Sequence, residues 1–205
     1  MRAFERALRR AGLPLLMTEG YNPRPRLSFP LSLGVGTEGS DEVMEFELAD
    51  WVPASDVRTR LAAQLPPDLE LKSLELTRPG RRVRVVETRH VVRPYASQQA
   101  DCRIDSKALR DLLDRAEILV TRRRKGRLKE VNIRPFVMDL RLEGNAILMT
   151  FRVGPEGTAR PEEILAALGV PPGQCHVLYH IERTQVLLAS PHRRETGSRA
   201  RSKEP

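Results

Sequence analysis

The chain has 205 residues, 40% of them apolar and 30% charged, which is the composition of a folded chain with one sizeable core or two small subdomains. No apolar run nears the roughly 18 residues that cross a bilayer, and no signal peptide opens the chain, so a soluble, cytoplasmic protein is expected. Lys and Arg number 35 against 27 Asp and Glu, a formal +8 dominated by arginine, whose planar fork matches phosphate and carboxylate; the partner expected is RNA or an acidic protein surface.

In chain order, residues 1–11 predict an amphipathic helix with Phe4, Ala7, Leu8 and Ala11 on one face, stopped by Gly12 and Pro14. A short strand over 13–18 should follow, then a proline-stiffened loop, Gly20–Pro30, and a glycine-rich turn, Gly34–Gly39. Met44, Phe46 and Leu48 alternate with Glu45 and Glu47 as in a half-buried strand. A helix carrying Val57, Leu61 and Leu65 comes next. Leu69, Leu71, Leu74 and Leu76 predict a strand with a bulge near Lys72–Ser73.

The second half repeats this grammar. Val83–Val92 reads as a strand, Ser106 as the cap of a helix with Leu109, Leu112 and Leu113, and Ile118–Val120 as a short strand. Residues 131–142 and 146–153 predict a hairpin across Glu143–Asn145. Pro161 starts a last helix that Gly169 ends, and 177–188 is a final strand. The fold expected is α+β, with two ferredoxin-like (βαββαβ-type) halves, 1–77 and 82–188, packed together, and a disordered basic tail at 189–205. The first half lacks only a leading strand.

No constellation for catalysis assembles from the sequence. The four histidines adjoin no nucleophile motif, and His176 and His180 are expected on one face of a strand rather than on a metal-binding helix. Cys102 and Cys175 have no ligand partners at metal spacing, so this chain is expected to bind no metal and no cofactor of its own. The candidate surfaces are therefore binding surfaces. One is the loop bearing Tyr21, Asn22, Arg24, Arg26 and Ser28. The other is the basic run Arg122, Arg123, Arg124, Lys125, Arg127 and Lys129, with Arg134 beyond it, expected on a hairpin or loop where phosphates can neutralise it. Aromatic residues total only 4%, so a base-stacking platform is not evident.

The segments 3–14, 20–39, 117–135, 160–169 and 181–184 resemble the bacterial radical SAM-linked protein family, a domain of unknown function that occurs alone or fused to radical SAM enzymes. Arg160 and Arg183 join the binding candidates through the motifs RPEEILAALG and IERT. The resemblance implies a radical SAM enzyme as partner, with the iron–sulfur cluster and S-adenosylmethionine held there. Family members usually begin with a strand before the first helix, so Met1–Arg2 is expected to match an internal pair, the leading strand missing by comparison as by topology. Asn132 departs from the family, which often has Asp. Three functions follow as expectations: an accessory protein that binds RNA, without DNA specificity, or presents a substrate; an RNA-modifying or RNA-processing enzyme whose catalytic residues lie in the missing segment; and a protein-interaction module.

Overall fold

A computed structural model describes residues 2–77, 80–96, 104–124 and 126–189, the Arg124 side chain excepted. The basic tail beyond 189, Lys125 and Cys102 lie outside these. The architecture is mixed α and β, with two hydrophobic clusters that divide the chain near residue 80.

The first cluster forms around two helices, α1 (Arg2–Arg10) and α2 (Ala54–Ala62). Ala7 and Leu8 of α1 meet Val57 and Leu61 of α2, all but inaccessible to solvent, with Ala11 and Leu13 completing the contact. Gly12, at φ +60°, turns the chain out of α1. The helix leaves carbonyls unpaired at its end, and Arg60 of α2 satisfies them: its Nε donates to the Ala11 carbonyl at 2.8 Å and its Nη2 to that of Gly12. One guanidinium thus caps one helix and crosslinks the pair.

Against this layer lie extended segments. β1 (Leu27–Ser28) pairs antiparallel with β3 (Glu45–Phe46), while Leu15 and Met17 make isolated bridges to Leu48 and Pro25. The strand expected over 13–18 is thus reduced to two bridges, since Pro14, Pro23 and Pro25 remove donors that a continuous ladder needs. The strand expected over 69–76 does not form either. Leu71 and Leu74 dock on the helices, but no ladder partner runs alongside among the described residues, and Leu76 is exposed.

The second cluster is built on a five-stranded sheet in the order β2–β9–β4–β8–β7. Its members are β2 (Thr37–Gly39), β4 (Val85–Pro94), β7 (Val137–Glu143), β8 (Ala146–Arg152) and β9 (Tyr179–Leu188). The pairs β4–β8, β4–β9 and β7–β8 are antiparallel. β2 alone comes from the first half and runs parallel to β9 at the edge, Thr37 opposite Ile181. The glycine-rich turn is therefore a strap that ties the first half to the second half's sheet.

Helices α3 (Ser106–Leu113) and α4 (Pro161–Ala167) bury Leu109, Leu112, Ile164 and Leu165 in this core. Asp105, not Ser106, caps α3: its carboxylate accepts the Ala108 N–H at 2.7 Å, and Ser106 is already the first helical residue. A one-turn helix, α5 (Cys175–Leu178), precedes β9, so His176 is helical and only His180 lies on the strand; the N–H groups of Val177 and Leu178 turn back to the Gln174 carbonyl, and the strand expected from 177 starts at Tyr179. Residues 131–142 are likewise broken. A 3-10 turn at Arg134–Phe136 intervenes because Asn132 Oδ1 accepts the N–H groups of both Ile118 (3.1 Å) and Arg134 (3.0 Å), turning the chain at Pro135. No helix among the described residues is long and apolar enough to cross a membrane.

Candidate nucleic-acid interface

The basic run forms a two-stranded ribbon separate from the main sheet, β5 (Leu119–Arg124) paired with β6 (Arg127–Asn132). Register places Val120 opposite Val131, Arg122 opposite Lys129 and Arg124 opposite Arg127, and Gly126, just before β6, has φ +78°. Residues directly opposite share a face. Val120 and Val131 pack on the core at the ribbon's base, and the cationic positions follow them toward the ribbon's tip.

The arginines divide into two kinds. Arg122 grips Glu163 of α4 bidentately, Nε and Nη2 each 2.7 Å from a carboxylate oxygen, and Nη2 also donates to the Thr158 carbonyl at 2.7 Å. The Glu163 hydrogen bonds raise the Arg122 pKa further above its ordinary value, against the opposing effect of burial. Arg134 donates to the carbonyls of Leu113 and Val137 at 2.8 and 3.0 Å. Arg183, 4% exposed, is bidentate with Glu42 and donates to the carbonyls of Leu31 and Ser32. These three guanidiniums are fasteners. For Arg183 the reason is plain: a buried cation must find a carboxylate, and Glu42 on the strap supplies it.

The others face solvent. Arg123, Arg127 and Lys129 are exposed, and among the described residues their side chains have no carboxylate partner. Arg160 is exposed at the start of α4, where Glu163 accepts its backbone N–H at 3.0 Å. In the proline loop, Tyr21 is 101% exposed, and Asn22 and Arg24 are exposed beside it. Arg26 pairs loosely with Glu47 at 3.5 Å, and Ser28 Oγ donates to Glu45 at 3.4 Å. Phe29 packs edge-on against Phe4 with ring centroids 5.4 Å apart.

A family model described as "Uncharacterized protein conserved in bacteria (DUF2344)" matches residues 1–161. The chain belongs to this family. No curated protein and no solved structure matches it. The matched residues take in the proline loop, the strap and the whole ribbon, while Glu163 and Arg183 lie beyond their end.

Several residues escaped the sequence reading. Glu42 and Glu163 complete the two fastened arginines, and nothing in their local sequence marks them, because each partner is more than forty positions away. The strap is pinned again where His180 Nε2 meets Glu38 at 3.0 Å, and where Ser40 Oγ donates to Glu182. His176 Nε2 lies 3.1 Å from Glu162, its ring against Gly36. Beneath the strap, Thr88 and His90 of β4 are buried, and neither Thr88 Oγ1 nor His90 Nδ1 has a hydrogen-bond partner among the described residues. Burial, and secondarily the Arg183 charge, push the His90 pKa down to about 3. Among the described residues no group of three or more His, Cys, Asp or Glu is placed to hold a metal ion.

Proposed function

We propose that this chain binds RNA through the β5–β6 ribbon and works as the binding component beside a radical SAM enzyme, presenting RNA, or a substrate carried on it, to that partner. The observation that carries the reading is the ribbon's set of exposed cations, Arg123, Arg127 and Lys129, free of carboxylate partners among the described residues and carried on a ladder separate from the main sheet. Surface cations in a folded chain are usually balanced by neighbouring carboxylates. Here residues 122–130 hold six cations against the single carboxylate Glu130, a potential that phosphates can neutralise. Association with a radical SAM enzyme rests on the motif resemblance over 3–14, 20–39 and 117–135. In that arrangement the iron–sulfur cluster and S-adenosylmethionine belong to the partner. The proline loop, with Tyr21, Asn22 and Arg24 exposed, is the second contact surface.

We further read residues 82–188 as a ferredoxin-like unit. The support is the βαββαβ succession of β4, α3, β7, β8, α4 and β9, with antiparallel order β9–β4–β8–β7 and the ribbon inserted before β7. For residues 1–77 the support is two helices and a short ladder in the corresponding order. Fold of this kind carries no activity by itself.

The test is fluorescence anisotropy with tRNA and rRNA fragments across a salt series. Binding should weaken steeply with salt, and the triple variant Arg123→Ala/Arg127→Ala/Lys129→Ala should lower the slope of log K against log salt by about 2–3. Arg122 is left intact because its removal would unfasten the ribbon. No binding of any fragment at low salt refutes the reading. Recovery of a nuclease-insensitive protein complex in its place assigns the surface to a protein.

A further inference from the structure

The ribbon's shape narrows the class of RNA, on the premise that RNA is its ligand. We infer that it enters the major groove of an RNA helix at a bulge or internal loop, and that it reads neither single strands nor uninterrupted duplex. Three observations lead there.

First, residues 119–132 contain no aromatic side chain and no histidine. Proteins that hold single-stranded RNA lay successive bases on aromatic faces, and this surface has none to offer. It can contact phosphates and base edges, which are the groups a helix displays.

Second, the ribbon is slender and stiff. Its ladder stays paired out to Arg124 and Arg127, and its base is clamped by Val120 and Val131 on the core and by the bidentate Arg122–Glu163 pair. Two strands about 4.8 Å apart, with their side chains, make a body about 10 Å across. The major groove of B-form DNA, about 12 Å wide, admits such a ribbon. That of uninterrupted A-form RNA is too deep and narrow for side chains to read. A bulge or internal loop unstacks the helix locally and opens the groove at that point.

Third, like charges face one another across the strands. Register sets Lys129 opposite Arg122 and Arg127 opposite Arg124. Directly opposed like charges destabilise a ladder, and among the described residues Arg127 and Lys129 have no carboxylate partner, whereas Arg122 has Glu163. Phosphates brought against this face would relieve the repulsion that Arg127 and Lys129 bear, and a groove presents phosphates from both sides.

The experiment uses the full chain and labelled oligonucleotides of one sequence: an RNA stem-loop with a perfect stem, the same stem interrupted by a small bulge, the unpaired strand, and the matching DNA duplex. The bulged stem should bind about tenfold tighter than the perfect stem and than the single strand. Arg127→Ala/Lys129→Ala should abolish that preference without lowering the melting temperature, since both side chains are exposed and make no stabilising ion pair among the described residues. Arg123→Ala, one strand over, gives an independent variant if the pair perturbs folding. Equal binding of bulged and perfect stems, or tightest binding of the single strand or the DNA duplex, overturns the inference while leaving an RNA-binding ribbon in place. Binding of none of the RNAs at low salt refutes the premise as well.

Discussion

His90 supplies the sharpest test of the packing beneath the strap. The residue is 7% exposed, Nδ1 has no hydrogen-bond partner among the described residues, and Arg183 adds positive charge alongside. In the unfolded chain the imidazole titrates near its ordinary value of 6.5, whereas in the folded chain it stays neutral down to about pH 3. Above pH 6.5 neither state holds the proton and His90 contributes no pH dependence. Below it, only the unfolded state takes the proton up, so the folded state loses ground by about 1.4 kcal/mol per pH unit. At pH 5 the accumulated loss is about 2 kcal/mol, and the loss levels off only near the folded value of about 3. Urea denaturation of wild type and His90→Leu, each at pH 7 and pH 5, isolates this contribution. Whatever His90→Leu does at pH 7, its stability should fall about 2 kcal/mol less than that of wild type between the two pH values. Parallel losses in the two proteins would mean that His90 is protonated in the folded state, and the account of the buried polar layer would be wrong.

Removing Glu42 with Glu42→Gln should leave Arg183 buried without its counterion and cost about 3–5 kcal/mol, read as a drop in denaturation midpoint. Arg122→Ala should destabilise by about 1–3 kcal/mol through loss of charge-assisted hydrogen bonds to Glu163 and the Thr158 carbonyl, whereas Arg127→Ala should leave stability unchanged within about 0.5 kcal/mol. Gly36→Ala places a Cβ 2.9 Å from the His176 ring at φ +83°, and thermal unfolding should report a cost of about 2–3 kcal/mol.

Local periodicity made α1, α2 and α3 legible, since Phe4–Leu8–Ala11, Val57–Leu61 and Leu109–Leu112 recur at helical spacing, and Pro161 and Gly169 bracketed α4. The hydrophobic alternation of residues 146–152 likewise marked β8. Leucine spacing misled at 69–76, because an extended segment becomes a strand only when a neighbour offers its backbone, and that neighbour is not encoded locally. The same holds for 13–18, where prolines on the adjoining loop limit pairing to single bridges.

Of the candidate interface, the sequence by itself determined the density of positive charge, the stiffness of the proline loop and the absence of stacking residues on the ribbon, all of which are properties of residues taken singly or with their neighbours. Only the tertiary structure decided which cations are available. Arg122 and Arg183 read like Arg123 and Arg127 in the chain, yet Glu163 and Glu42 arrive from distant segments to bind the first pair and leave the second to solvent. A guanidinium becomes a fastener or a ligand-binding group according to whether folding brings a carboxylate within about 3 Å of it, and that distance is set by the packing of whole elements.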